Sequence, residues 1–250
     1  MISLRSCQAA DNKPMLVYIL SGQSNMVPQG KWNDMPDDLK KTSDSVYEFK
    51  SPQWYPYKPS KLFGPEHSFA DAMARANPNF RIGIFVFSQG ATNLYEDWTP
   101  DKKDKTDSLY SRLIRIAQVA LKAPNVSLGG MVWLQGEGDT KRKETAEKYG
   151  ANLKTFIECV RKDLNAPTMP FVVGHIKPNP NDLPVLRKNC PFIDIVQMAQ
   201  ANLKLEHTRL ALTENIERDS GDHVHYGTKG MIEVGKIFAE AMQKLLAEKK

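Results

Sequence analysis

Cysteine is scarce in this chain, with Cys7, Cys159 and Cys190 the only three among 250 residues. Their odd count and wide spacing argue against a disulfide framework and match no metal-ligand pattern, although one pair could still bridge. No stretch approaches the roughly 20 apolar residues of a membrane span. Long runs of one charge are missing as well: the net charge of +5 is mild, and lysines come mixed with acids, as in Asp101-Lys102-Lys103-Asp104-Lys105. Such runs are solvated loops and leave no nucleic-acid footprint. Nothing resembling a linker separates two cores, so residues 15–250 read as a single domain. Residues 1–14 read as a flexible leader. Its first ten residues, ending Cys7-Gln8-Ala9-Ala10, resemble the small-residue tail of a secretory signal whose hydrophobic part is missing. A remnant of that kind implies a secreted or periplasmic protein, and an unstructured cytoplasmic leader explains the same residues.

What is present is the material of an ordinary globular protein, 41% hydrophobic and 25% charged, enough for a large core. Apolar runs at 15–20, 81–87, 128–134, 171–176 and 209–213 predict buried strands. Between and after them, helical spacing predicts helices at 67–76, 108–122, 145–164, 191–206 and 228–247. Repeated strand-then-helix order is the signature of a parallel sheet covered on both faces. Residues 27–66 have no sustained period and many prolines. Their aromatics, Trp32, Trp54, Tyr55, Tyr57 and Phe63, either stack on sugar rings or pack the loop onto the core, and packing is the stronger reading.

Three of the strands run into small polar turns. The first ends at Gly22-Gln23-Ser24-Asn25-Met26, the second at Ser88-Gln89-Gly90-Ala91-Thr92-Asn93, and the third at Gln135-Gly136-Glu137-Gly138-Asp139. Open α/β sheets place their ligands at the carboxyl ends of their strands, and a helix starting after Ser24 would aim backbone N–H groups at a developing anion. Ser24 is therefore a candidate nucleophile, and the plain alternative is that it only caps a helix. A serine needs a base, and the base needs an acceptor that fixes its tautomer. Asp222 and His225, three apart in the loop before the last helix, can supply both. His223, two residues from His225, points the other way; His67 and His207 lack a supporting acid, and His175, closing the fourth strand, is a candidate pocket wall.

Taken together, Gly22-Gln23-Ser24-Asn25-Met26, Trp133-x-Gln135-Gly136-Glu137-x-Asp139 and Asp222-x-x-His225 resemble the SGNH hydrolases, in the branch of carbohydrate esterase family 6 and the sialate O-acetylesterases. The resemblance runs from the first strand to the last helix. It implies a flavodoxin-like three-layer α/β/α sandwich with a central parallel sheet of about five strands. It also implies Ser24 as nucleophile, His225 as base and Asp222 as its orienting acid, with the oxyanion held by Ser24, Gly90 and Gln135. Glu137 is a second candidate for supporting His225, or else an anchor for neighbouring loops. Two positions depart from the family pattern: Ala91 stands where a second glycine is usual, which leaves open whether Gly90 or Ala91 donates its N–H, and Gly138 stands where serine or alanine is usual.

The implied activity is removal of O-acetyl groups from carbohydrates through an acyl-enzyme, as an acetylxylan esterase or a sialate O-acetylesterase, with an acetylated carbohydrate as partner and no cofactor or metal. A reading of another class is a non-catalytic carbohydrate-binding protein. A lipase-like α/β-hydrolase fits less well, because its nucleophile elbow needs glycine where this chain has Met26.

Overall fold

The computed structural model describes residues 13–102, 108–216, 218 and 222–248; most of the leader, with Cys7, lies outside them. In chain order the elements are β1 (Met15–Gly22), β2 (Gly30–Lys31), β3 (Val46–Lys50), β4 (Gln53–Pro56), β5 (Leu62–Phe63), α1 (Glu66–Ala76), β6 (Arg81–Ser88) and α2 (Leu109–Ala120). They continue with β7 (Val126–Leu134), α3 (Lys143–Asp163), β8 (Phe171–Gly174), α4 (Leu183–Asn189), α5 (Ile193–Ala201), β9 (Thr208–Ala211) and α6 (Thr228–Ala247).

Seven strands form one sheet in the order β4-β3-β6-β1-β7-β8-β9. Every pairing in it is parallel except that of β4 with β3. The five strands expected from apolar runs are β1, β6, β7, β8 and β9; the additional two, β3 and β4, come from the stretch that showed no period. The physical reason is the composition of this end of the sheet, where β4 is the edge strand and β3 lies beside it. β3 interleaves Glu48 and Lys50 with its apolar residues, and β4 is largely exposed, so neither carries the uninterrupted apolar run of a strand buried on both faces. The pair β2 and β5 forms a separate two-stranded ribbon.

β1 is central, and all of its residues but Leu16 are buried. Helices α1 and α6 cover one face, where Tyr18 meets Phe69 edge-on at 5.4 Å and the Ser68 hydroxyl donates to the Ile232 carbonyl at 2.7 Å. Helices α2, α3 and α5 cover the other, with Phe156 of α3 against Trp133 of β7 at 4.4 Å and against Tyr110 of α2 at 5.9 Å. Full burial of each such ring contributes roughly 1.5–3 kcal/mol. This is the expected three-layer α/β/α sandwich. The helix read at 191–206 is shorter, Ile193–Ala201, and α4 before it has only seven residues, with Pro184 in its first turn, too few to show a period. No disulfide joins Cys159 to Cys190.

The aromatics of the 27–66 stretch mainly pack. Trp32 lies edge-on to His67 at 5.4 Å and Phe63 at 6.4 Å, Trp54 tilts against Phe49 at 5.1 Å, and Phe63 is buried. Tyr55 is the exposed one.

What positions the site is register. Gly22 at the end of β1 pairs with Ser88 of β6 and with Leu134 of β7, so the turns that follow all three strands emerge at one level of one edge.

Candidate active site

Ser24 follows β1 and opens a single 3-10 turn, Ser24–Met26. The turn begins with a close approach. At Gly22, φ is +149° and a Cβ would come within 2.1 Å of the Leu134 carbonyl oxygen, so only glycine fits. Gln23 then donates its backbone N–H to the Leu134 carbonyl at 3.0 Å, which fixes the plane of the turn on β7.

The histidine loop comes back to the same place. His225 Nε2 lies 2.9 Å from Ser24 Oγ, and Nδ1 lies 2.5 Å from Asp222 Oδ2. The other Asp222 oxygen accepts the backbone N–H groups of Val224 at 2.8 Å and His225 at 2.9 Å, so one carboxylate both shapes the loop and holds the ring. Partial burial pushes the Asp222 carboxyl up, but the hydrogen bonds from the His225 backbone and ring and from Val224 outweigh it. The net result lies below the ordinary aspartate value. With its proton on Nδ1, the imidazole leaves Nε2 free to accept the serine proton.

Gly90 borders Ser24: a Cβ on it would sit 3.8 Å from Ser24 Cβ. Neither the Ser24 nor the Gly90 backbone N–H has a hydrogen-bond partner among the described residues. Ala91 adopts φ of +58°, the left-handed conformation that explains why glycine is usual there.

Gln135 requires a correction. Its side chain is fully buried, and Nε2 lies 2.6 Å from Asp139 Oδ2, 3.1 Å from Gln23 Oε1 and 3.4 Å from the Thr92 carbonyl oxygen. An amide nitrogen with those acceptors and no exposure has no hydrogen to offer an oxyanion; it braces the three turns against one another. Gln23, quoted in the first motif but given no role there, takes part in the same bracing. Its Oε1 also accepts the Gly138 N–H at 3.1 Å and the Gly136 N–H at 3.4 Å.

Glu137 also stands elsewhere than on His225. Its Oε1 accepts from Asn25 Nδ2 at 2.8 Å and lies 3.7 Å from the Arg218 guanidinium, which is the loop-anchoring role. Asn25 completes the clamp, donating to the Val224 carbonyl at 3.2 Å and accepting the Tyr226 N–H at 3.2 Å. The residue after Ser24 thus holds both neighbours of His225. Arg218, absent from every motif, is buried, lies over the Tyr226 ring at 4.5 Å and donates to the Val224 carbonyl. No spacing rule points to it, because its partners are backbone carbonyls and one distant acid. His223 turns from the triad to Asp182 at 2.7 Å, His67 bonds the Leu39 carbonyl at 2.8 Å, and His175 is buried 3.9 Å from Glu214.

With this geometry in view, the sequence profile of the family described as carbohydrate esterase, sialic acid-specific acetylesterase, matches residues 14–244. The chain belongs to this family. It is 25% identical to a probable carbohydrate esterase of Arabidopsis thaliana, over 91% of this chain and 90% of that protein. Solved structures share its fold. The Arabidopsis protein superposes with a TM-score of 0.78 at 23% identity, covering 92% of this chain and 98% of that one. A carbohydrate acetylesterase of Xanthomonas citri gives 0.72 at 20% identity, covering 93% of this chain and 57% of that one. The protein NanS gives 0.69 at 15% identity, covering 94% and 99%. Among the described residues, no helix is long and apolar enough to cross a membrane.

Proposed function

We propose that this protein is a serine esterase that removes O-acetyl groups from carbohydrates through an acetyl-enzyme. The observation that carries the reading is the unbroken line from Ser24 Oγ to His225 Nε2 at 2.9 Å and from His225 Nδ1 to Asp222 at 2.5 Å. Ser24 attacks the acetyl carbonyl carbon while Nε2 of His225 takes its proton. The oxyanion forms against the unpartnered N–H groups of Ser24 and Gly90, which need no reorganisation to receive it. His225 returns the proton to the departing sugar hydroxyl, and Asp222 stabilises the imidazolium in between. Water enters, gives a proton to His225 and attacks the acetyl-serine; acetate leaves and Ser24 regains its hydrogen.

The family's description and the acetylesterase among its fold neighbours support a sugar acetate as substrate. Acetylated xylan and O-acetylated sialic acid both present such an ester. Ser24→Ala is expected to lower turnover of an activated acetyl ester by on the order of 10⁴–10⁶, with folding unchanged. Unchanged turnover would sink the reading. Acetate release from acetylated xylan and from O-acetylated sialic acid then separates the two substrates.

A further inference from the structure

We propose that the cavity beside β3 is a subsite for a neutral, hydroxyl-rich sugar ring, part of the glycan that carries the ester; what delivers the glycan rests on the esterase reading above. The cavity holds about 310 Å³ and is walled by Glu48 and Phe49 of β3, by Tyr57, by Glu66 at the start of α1 and by Val86 of β6. Pro28 also lines it. Pro28 is four residues beyond Ser24, so the chain puts the cavity wall within about 14 Å of the nucleophile, a span that an oligosaccharide bridges.

Glu66 gives the cavity its chemistry. It is only 6% exposed; Oε1 accepts the Gly64 N–H at 2.9 Å, Oε2 is closed off from solvent, and the carboxylate interacts with the Tyr57 hydroxyl. It thus fixes Tyr57 in the wall, and sugar hydroxyls are left to Glu48 and to the Tyr57 oxygen. Burial raises the Glu66 carboxyl, the Gly64 N–H opposes the rise, and the nearby Glu48 adds to it. The Tyr57 phenol is pushed up by burial, then by the charges of Glu66 and Glu48 and by its hydrogen bond to Glu66, so it stays a hydroxyl whose oxygen can accept from a sugar. Its ring leans on His67 at 5.8 Å, which presents the hydroxyl from a fixed wall.

The charges select the ring. Glu48 is already paired with Lys50 at 2.5 Å, and Lys58 on the rim is exposed to solvent. An acidic sugar would bring a further carboxylate beside Glu48 and Glu66, whereas sugar hydroxyls donate to Glu48 and to the Tyr57 oxygen. Phe49 and Val86 supply the apolar face that the C–H side of a pyranose covers. None of these residues belongs to the triad or to its bracing network.

The test is binding without turnover. Unacetylated xylotetraose, mannotetraose and galactotetraose, with sialyllactose as the acidic probe, are titrated by calorimetry into the wild type, Glu48→Gln and Tyr57→Phe. Turnover of 4-nitrophenyl acetate is measured in parallel. At least one neutral tetrasaccharide should bind the wild type better than sialyllactose does. Glu48→Gln and Tyr57→Phe should each weaken that binding by about tenfold while nitrophenyl acetate turnover stays within about twofold. The proposal falls if no neutral tetrasaccharide binds, if both partly exposed variants bind as the wild type does, or if sialyllactose binds tighter. The acetylated tetrasaccharide keeps the two readings apart: a wild type that binds the neutral tetrasaccharide but releases no acetate from its acetylated form would overturn the esterase reading and leave the subsite standing.

Discussion

A Cβ added at Gly138 would come within 2.1 Å of the Thr92 carbonyl oxygen, so the turn after β7 passes the turn after β6 only because Gly138 has no side chain. The contact accounts for a glycine where the family pattern leads one to expect serine or alanine. Its obstacle is backbone, which cannot rotate out of the way. Gly138→Ser is therefore expected to push the 90–92 turn off Gln135 and to cost about 1–3 kcal/mol. Because Gly90 rides on that turn, kcat should fall more than the loss of folded protein explains. Urea unfolding beside turnover of an activated acetyl ester checks both, and a variant with wild-type stability and rate would refute the contact's importance.

The same turn carries a second testable strain. Ala91 sits at φ +58°, where an L-residue with a Cβ pays about 1–2 kcal/mol and glycine does not. Glycine gives back part of that through its more flexible unfolded chain, about 0.5–1 kcal/mol. Ala91→Gly should thus stabilise the protein by roughly 0.5–1 kcal/mol with kcat unchanged, since the Gly90 N–H keeps its place. A drop in stability would mean that the alanine methyl has a contact outweighing the strain.

How far the sequence led can be read from these turns. β1, β6, β7 and β8 were legible because burial on both faces demands long apolar runs, and the short edge strand β9 by the apolar residues around Leu210. Ser24, Asp222 and His225 stood out because a serine, a histidine and an acid in loops beside the sheet are residue types suited to one another. β3 and β4 were not legible, since β3 interleaves charge with its apolar residues and the edge strand β4 is largely exposed. The role of Gln135 was misread for a different reason: an amide at a strand end serves equally as an oxyanion donor or as a brace, and only its contact with Asp139 at 2.6 Å distinguishes them. Arg218 left no trace at all, because binding carbonyl oxygens needs no partner residue of a given type.

Asn25 offers a way to move the triad without touching it. Its amide bonds Glu137, the Val224 carbonyl and the Tyr226 N–H, gripping the chain on both sides of His225. Asn25→Ala leaves a buried carboxylate and two backbone groups short of partners, a loss of about 2–4 kcal/mol. The freed histidine loop should then lower kcat by about 10²-fold or more even where the protein remains folded, because displacement of a base by about 1 Å is that costly. Thermal unfolding gives the first quantity and the rate well below the melting temperature gives the second. Wild-type turnover in a destabilised Asn25→Ala would show that Asp222 alone holds His225 in place.

Asp139 makes the bracing network sensitive to pH. Its carboxylate is fully buried and accepts from Gln135 at 2.6 Å and from the Leu94 and Tyr95 backbone N–H groups at 2.8 and 3.2 Å. Burial outweighs these donors and pushes its pKa up to about 6. In the unfolded chain the group titrates near 3.9, so between about pH 4 and pH 6 the native state keeps a proton that the unfolded state has lost. Stability must therefore fall as pH rises through that window, by about 3 kcal/mol in all, and be flat in this term above it. Asp139→Asn has no proton to lose. The difference in unfolding free energy between wild type and Asp139→Asn, followed by urea titration from pH 4 to pH 8, should slope downward to about pH 6 and then level off. Parallel curves for the two proteins would mean that the three donors hold the carboxylate ionised throughout, and that burial does not govern its charge.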